Sequence, residues 1–165
     1  MSKARVVIGI DPGTAITGYG LVRMNSHSEL EGVDYGVVTT PSDWEEPRRL
    51  LFIYNALREI VDKYHPESCA VENIFFQRNV RTAIRVGQGR GAALIAMATS
   101  NLPMGEYTPS EIKQAVVGYG NADKNQVQQM VKLLLDLDEI PQPDDAADAL
   151  AVAICHLHTS GNMTT

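Results

Sequence analysis

Residues Arg5 to Ile10 form a continuous apolar, β-branched run that stops at Asp11-Pro12-Gly13, the pattern of a buried strand closed by a turn. Thr17 to Arg23 and Val33 to Thr39 read as two further strands with the polar Asn25 to Glu29 stretch as a hairpin turn, so the chain is expected to begin as an antiparallel meander. After Pro41-Ser42-Asp43 the period lengthens. Leu50, Leu51, Ile53, Tyr54, Leu57, Ile60 and Val61 mark one face of an amphipathic helix that ends before His65-Pro66. Ser68 to Val71 reads as a fourth strand and Met104 to Tyr107 as a short fifth. Helices are expected over about Arg81 to Ser100, from the Ser110-Glu111 region, over Lys124 to Leu135, and, after the break at Pro141-Gln142-Pro143, from Asp144 to about Leu157. Three strands, helix, strand, helix, strand and further helices describe an α/β fold: a mixed five-stranded sheet flanked by helices.

Composition narrows this picture. With 165 residues and 44% hydrophobic content the chain suits one compact domain, taken as residues 1–158, followed by a polar tail over 159–165. Cys69 and Cys155 lie in apolar stretches far apart, which predicts two buried thiols in a reducing compartment. The start turns directly into a strand without a long apolar region, and GAALIAMA is too short to span a bilayer, so a cytoplasmic protein without a membrane partner is expected.

The net charge of -6 argues against a general polyanion binder. Its distribution matters more. Between Asn73 and Ser110 stand Arg78, Arg81, Arg85 and Arg90 with only Glu106 opposing them, either a phosphate-holding segment or a solvated face with partners elsewhere. Gly87 and Gly91 fall in the same predicted helix. Each glycine there costs about 1 kcal/mol relative to alanine, which implies close approach of another backbone, within the domain or across a dimer. The run from Gly87 to Gly91 lacks the preceding strand that a phosphate loop needs. Cys155, His156 and His158 lack a second ligand pair, so zinc is not expected.

Four acids remain to be explained. Asp11 and Glu72 stand at the ends of predicted strands, and would share one sheet edge if those strands are parallel neighbours. Asp145 and Asp148, three apart, share one face of the last helix. Each has an ordinary reading: Asp11 in turn chemistry, Asp145 and Asp148 as first-turn acids facing the helix dipole. Glu72 is harder to dismiss, because it joins an apolar strand to Ile74, Phe75 and Phe76. Asp144 is available as the helix cap. An all-oxygen ligand set suits Mg²⁺ or Mn²⁺, and two such ions about 3.5–4 Å apart perform hydrolytic phosphoryl transfer.

The runs IGIDPGT from Ile8, AVENIFF from Ala70, QGRG from Gln88, IKQAVVGYG from Ile112 and DAADALA from Asp145 together resemble, in order and over nearly the whole chain, the RuvC family of Holliday-junction resolvases. The resemblance implies a ribonuclease H-like fold, a homodimer, and Mg²⁺-dependent nicking of two opposed strands of a four-way DNA junction, with Mn²⁺ able to substitute and two ions per active site. It implies that Asp11, Glu72, Asp145 and Asp148 are the catalytic, metal-holding carboxylates, and that the branch-migration proteins RuvA and RuvB are partners. Phe75 matches the family aromatic that stacks on DNA near the junction centre, with Phe76 beside it as the competing choice. Lys113 and Lys124 match lysines near the active site, and Arg78, Arg81 and Arg85 follow the wedge region, placed to track the DNA backbone. Two other readings compete. One is a junction-binding module without catalysis. The other is a lobe related to actin-like ATPases and sugar kinases, whose phosphate-binding turn the segment from Gly9 to Gly20 resembles, although those proteins need two lobes.

Overall fold

The computed structural model describes residues 3–73 and 79–160. Strands β1 (Arg5–Asp11), β2 (Ile16–Met24) and β3 (Leu30–Thr39) form the expected meander. Helix α1 (Glu46–Tyr64), strand β4 (Ser68–Glu72), helix α2 (Val80–Thr99) and strand β5 (Met104–Tyr107) follow, and then α3 (Pro109–Val117), α4 (Lys124–Leu134) and α5 (Asp144–Ser160). The sheet order is β3-β2-β1-β4-β5. β1 runs antiparallel to β2 and parallel to β4, and β4 runs parallel to β5. The central, doubly covered β1 is therefore apolar almost throughout, as a strand buried on both faces must be.

Side chains alternate across the sheet. Ile8, Ile10, Leu21, Cys69 and Val71 point to one core, shared with Ile53, Leu57 and Val61 of α1 and Ala93, Ala96 and Met97 of α2. Val7, Val22 and Ala70 point to the other, shared with α3, α4 and α5. By the same alternation Asp11, two residues beyond Gly9, and Glu72, two beyond Ala70, belong to the α5 face. Nearly every residue of α5 from Ala146 to Leu157 is buried, so this helix forms the middle layer between the sheet and α3 and α4.

Two glycines set how close that layer sits. A Cβ on Gly9 would lie 2.1 Å from the Ala149 carbonyl oxygen, and one on Gly18 would lie 2.0 Å from that of Asp145. The backbone of α5 thus rests on β1 and β2 where any side chain would hold it off. Within α2, Gly89 makes the close approach expected of a helical glycine, with its Cβ position 2.9 Å from the Gly13 carbonyl carbon, whereas Gly87 and Gly91 face open space.

Several boundaries differ from expectation. Leu51, assigned to the buried face of α1, is 58% exposed, and the seam instead runs through Arg49, Ile53, Leu57 and Val61. The last helix continues through Thr159 to Ser160, whose hydroxyl donates to the His156 carbonyl at 2.6 Å and accepts from Arg5 at 2.8 Å. Residues 161–165 lie outside the described residues. The α3 helix opens on a capping box between Thr108 and Glu111, and α4 on one between Asp123 and Gln126. Among the described residues no helix is long and apolar enough to cross a membrane.

Candidate active site

Asp11 ends β1 and Glu72 ends β4, and the parallel pairing of these strands, with Ile10 opposite Val71, brings both ends to the same edge of the sheet. This is the place at which open α/β sheets hold ligands. α5 supplies the other half. Asp11 is paired across the ladder with Gly18, and Gly18 is the residue against which the Asp145 backbone rests. Asp145 and, one turn on, Asp148 are thereby placed over the ends of β1 and β4.

The electrostatics record this convergence. Burial first, and then the charges of Asp148, Asp145 and Glu72, push the Asp11 carboxyl up to about 8, with a hydrogen-bonding contribution from Asp145. Burial and the neighbouring Asp148 also raise Glu72, against an opposing pull from Lys113. Asp148 is raised by burial and by Asp145 and Asp144, with Lys124 acting in the other direction. Asp148 is thus more than an exposed first-turn acid facing the helix dipole, and Asp11 is tied to three other acids as an isolated turn residue would not be.

A cavity of about 280 Å³ opens beside the cluster, lined by Glu72 and Asp148 together with Lys113 of α3 and Lys124 of α4. Lys124 is fixed by a 2.8 Å ion pair to Asp144, which also accepts a 3.0 Å hydrogen bond from Gln128. Asp144 therefore differs from the expected cap. Its carboxylate is spent on a side-chain pair that holds a lysine at the cavity rim. Sequence spacing along α5 carries no sign of this, because the partner lies on another helix.

Arg90 also departs from expectation. Its guanidinium donates to the Glu72 carbonyl at 2.6 Å and pairs with Glu106 at 2.8 Å, so it braces the end of β4. Arg81 and Arg85 are exposed and line a different cleft with Glu46, away from the acid cavity. Phe75, Phe76 and Arg78 lie outside the described residues. His156 is occupied by Ser68 Oγ at 2.8 Å and Tyr107 Oη at 2.6 Å, which removes it from any zinc set with Cys155 and His158. The Gly13–Thr14 turn is covered by Gly89 and by the bond from the Thr14 hydroxyl to the Arg85 carbonyl, which leaves it closed to a bound phosphate.

The profile of the family described as crossover junction endodeoxyribonuclease RuvC matches residues 7–156. This chain belongs to the RuvC family. Its relatives include the crossover junction endodeoxyribonuclease RuvC of Alkaliphilus oremlandii, 52% identical over 159 residues that cover 96% of each chain. The RuvC protein of Chloroflexus aurantiacus is 54% identical over 153 residues, 93% of each chain. The fold is that of Thermus thermophilus RuvC in complex with Holliday junction substrate, with a TM-score of 0.88 and 33% identity over 96% of this chain and 97% of that one. The mixed sheet with helices on both faces is the one the strand and helix pattern anticipates, and its ribonuclease H-like RuvC architecture is the one the family resemblance implies.

The donor set fits a hard divalent cation. It consists of carboxylate oxygens alone, and a divalent charge among them would offset both the burial and the neighbouring acids that lift Asp11 to about 8. Among the described residues no three His, Cys, Asp or Glu side chains stand as a closed metal-holding group.

Proposed function

We propose that this RuvC-family endonuclease resolves four-way DNA junctions by hydrolysing one phosphodiester in each of two opposed strands, and that Asp11, Glu72, Asp145 and Asp148 are its catalytic carboxylates. One observation carries the reading: two acids at neighbouring strand ends are met by two acids of α5, with two lysines on the rim of the adjoining cavity. The four acids would hold Mg²⁺, or Mn²⁺ in its place, as a pair of ions. Such ions supply a nucleophile from water at neutral pH and neutralise charge on the phosphate.

The chain's own groups do the rest. Asp11 and Glu72 are fixed by the sheet, Glu72 through Arg90 on its carbonyl, and so define an edge that does not move with the substrate. Lys113 and Lys124 place positive charge at the cavity, where it holds a DNA phosphate and stabilises charge developing in the transition state. Asp144 keeps Lys124 there. Arg78, Arg81 and Arg85 track backbone phosphates along the DNA, and Phe75, or Phe76 beside it, stacks on DNA near the junction centre. Residues 1–158 act as one ribonuclease H-like nuclease domain. The free thiols of Cys69 and Cys155 support a reducing, cytoplasmic setting.

The working form is a homodimer with one site per subunit, acting with the RuvA and RuvB branch-migration proteins. An apolar groove between α1 and α2, lined by Leu50, Leu51, Tyr54, Ala92 and Ile95, supports a second copy of the chain as occupant. Leu51 and Ile95 are each 58% exposed there, and Ile84, on the same helix α2, 56%.

The test is a nicking assay on synthetic four-way junctions and linear duplexes with Mg²⁺, Ca²⁺ or EDTA. Paired nicks with 5′-phosphate and 3′-hydroxyl ends are expected on junctions with Mg²⁺ alone. Asp11→Asn is expected to abolish cutting while junction binding persists. Absence of cleavage under every divalent ion, with binding intact, refutes the nuclease assignment.

A further inference from the structure

The described residues contain five buried polar or charged side chains, and four of them, Thr14, Thr17, Thr40 and Arg49, form one network beneath the turn that follows Asp11. The Thr17 hydroxyl donates to the Gly13 carbonyl at 2.5 Å and accepts from the Gly13 amide at 3.3 Å. The Thr14 carbonyl accepts from the Thr40 hydroxyl at 2.6 Å, and the Thr40 oxygen accepts in turn from Arg49 Nε at 2.8 Å. A longer contact of 3.5 Å joins Arg49 Nη2 to the Thr40 carbonyl. On the other side the Thr14 hydroxyl donates to the Arg85 carbonyl of α2 at 3.0 Å, beside the seat of Gly89 on Gly13.

Arg49 is the unusual member. Its side chain is buried, and among the described residues its ion-pair partners include no carboxylate. A buried guanidinium without an acid is costly, and core packing of α1 does not require one, since an apolar side chain would fill the same seam as Ile53 and Leu57. What the guanidinium does is orient the Thr40 hydroxyl. With its lone pair engaged by Arg49, that hydroxyl is left to donate to the Thr14 carbonyl, so the direction of the chain of hydrogen bonds is set from its buried end.

We infer that Arg49 and Thr40 are positioning residues for cleavage: through Thr14 they hold the turn that aims Asp11 and lock that turn to α2. The inference rests on the assignment of Asp11 to the active site. Charge burial is then spent on geometry at the one carboxylate that all three other acids perturb. Arg85 enters through its backbone carbonyl, so the position of α2 and that of Asp11 are mechanically linked.

The test compares Thr40→Val, which keeps the shape and removes both bonds, with Thr40→Ser, which keeps the hydroxyl. Single-turnover cleavage of a four-way junction at saturating Mg²⁺ is measured alongside junction Kd. Thr40→Val is expected to cut about 10- to 100-fold more slowly with Kd within about twofold, because a carboxylate displaced by a fraction of an ångström loses rate and not binding. Thr40→Ser is expected to retain the rate within about threefold. Val61→Ala, at the far end of α1, is the control for lost stability alone. If Thr40→Val does not fold, Thr14→Val breaks only the link to α2 and carries the same expectation. Wild-type cutting by Thr40→Val or its substitute, or an equal loss in Val61→Ala, overturns the inference. Failure of the wild-type protein to cut would instead refute the nuclease assignment itself.

Discussion

Substituting Gly18 by alanine isolates the contact that seats α5. The added Cβ would stand 2.0 Å from the Asp145 carbonyl oxygen and 2.5 Å from its carbonyl carbon, while ordinary contact begins near 3.4 Å. The obstruction sets a Cβ, which has no rotamer to escape by, against backbone, so the start of α5 must retreat by roughly 1 Å or more. Asp145 and Asp148 move with it, whereas Asp11 and Glu72, fixed in the sheet, do not. Misplacement on that scale costs about 100-fold in rate, and the overpacking costs about 1–3 kcal/mol in stability. Single-turnover junction cleavage, junction Kd and urea unfolding separate the two effects. Gly87→Ala provides the opposite sign, since its Cβ meets nothing within 4 Å and the helix gains up to about 1 kcal/mol. A Gly18→Ala protein that cuts at the wild-type rate would show that the acids of α5 are not set by the contact with β2.

The α1–α2 groove predicts that Ile95→Glu converts a dimer to a monomer, read by sedimentation velocity, and an unchanged mass would remove this face from the interface. His156 predicts an acid limb of stability. Burial chiefly holds its imidazole below the ordinary 6.5, so on acidification the unfolded chain binds the proton first, and the contribution present above pH 6.5 is lost as pH falls below it. Asp11, Glu72 and Asp148, all raised, gain stability on acidification within the same window, so His156 is read as a difference: from pH 8 to 5 the wild-type urea midpoint should fall relative to that of His156→Gln, and a difference constant with pH removes His156 from the acid limb. Burial also pushes the Cys69 thiol up to about 12 and Cys155 to about 11, so both should resist alkylation in the native protein and react once unfolded, with mass spectrometry as the readout.

Much of this molecule was legible because its periods are clean. The β-branched run before Asp11 and the short apolar strand before Glu72 could be neither helix nor loop, and their common edge followed once they paired in parallel. Contacts between distant segments left no mark of that kind. Asp144 looks like a cap because capping is local, and only the fold reveals Lys124 beside it. Arg49 and Arg90 look like surface charges, yet one is buried under a turn and the other grips a strand end. Leu51 fits the apolar period of α1 but faces the outer groove, because the seam is centred one residue to the side, on Ile53 and Leu57. Gly9 and Gly18 show why: a glycine facing a helix backbone and one in a turn are the same letter, although their alternation on one face of β1 and β2 was a usable hint.

The four carboxylates come from two strands and one helix, and the last pair arrives more than seventy residues after Glu72. No segment of the chain holds more than two of them, and the two on α5 face the others only when that helix is seated on its glycines. With these four as the proposed catalytic set, the capacity to cut DNA is a property of the completed tertiary structure. A partly folded or locally opened molecule has no assembled blade, so any loosening of α5 fails toward harmlessness and not toward indiscriminate damage.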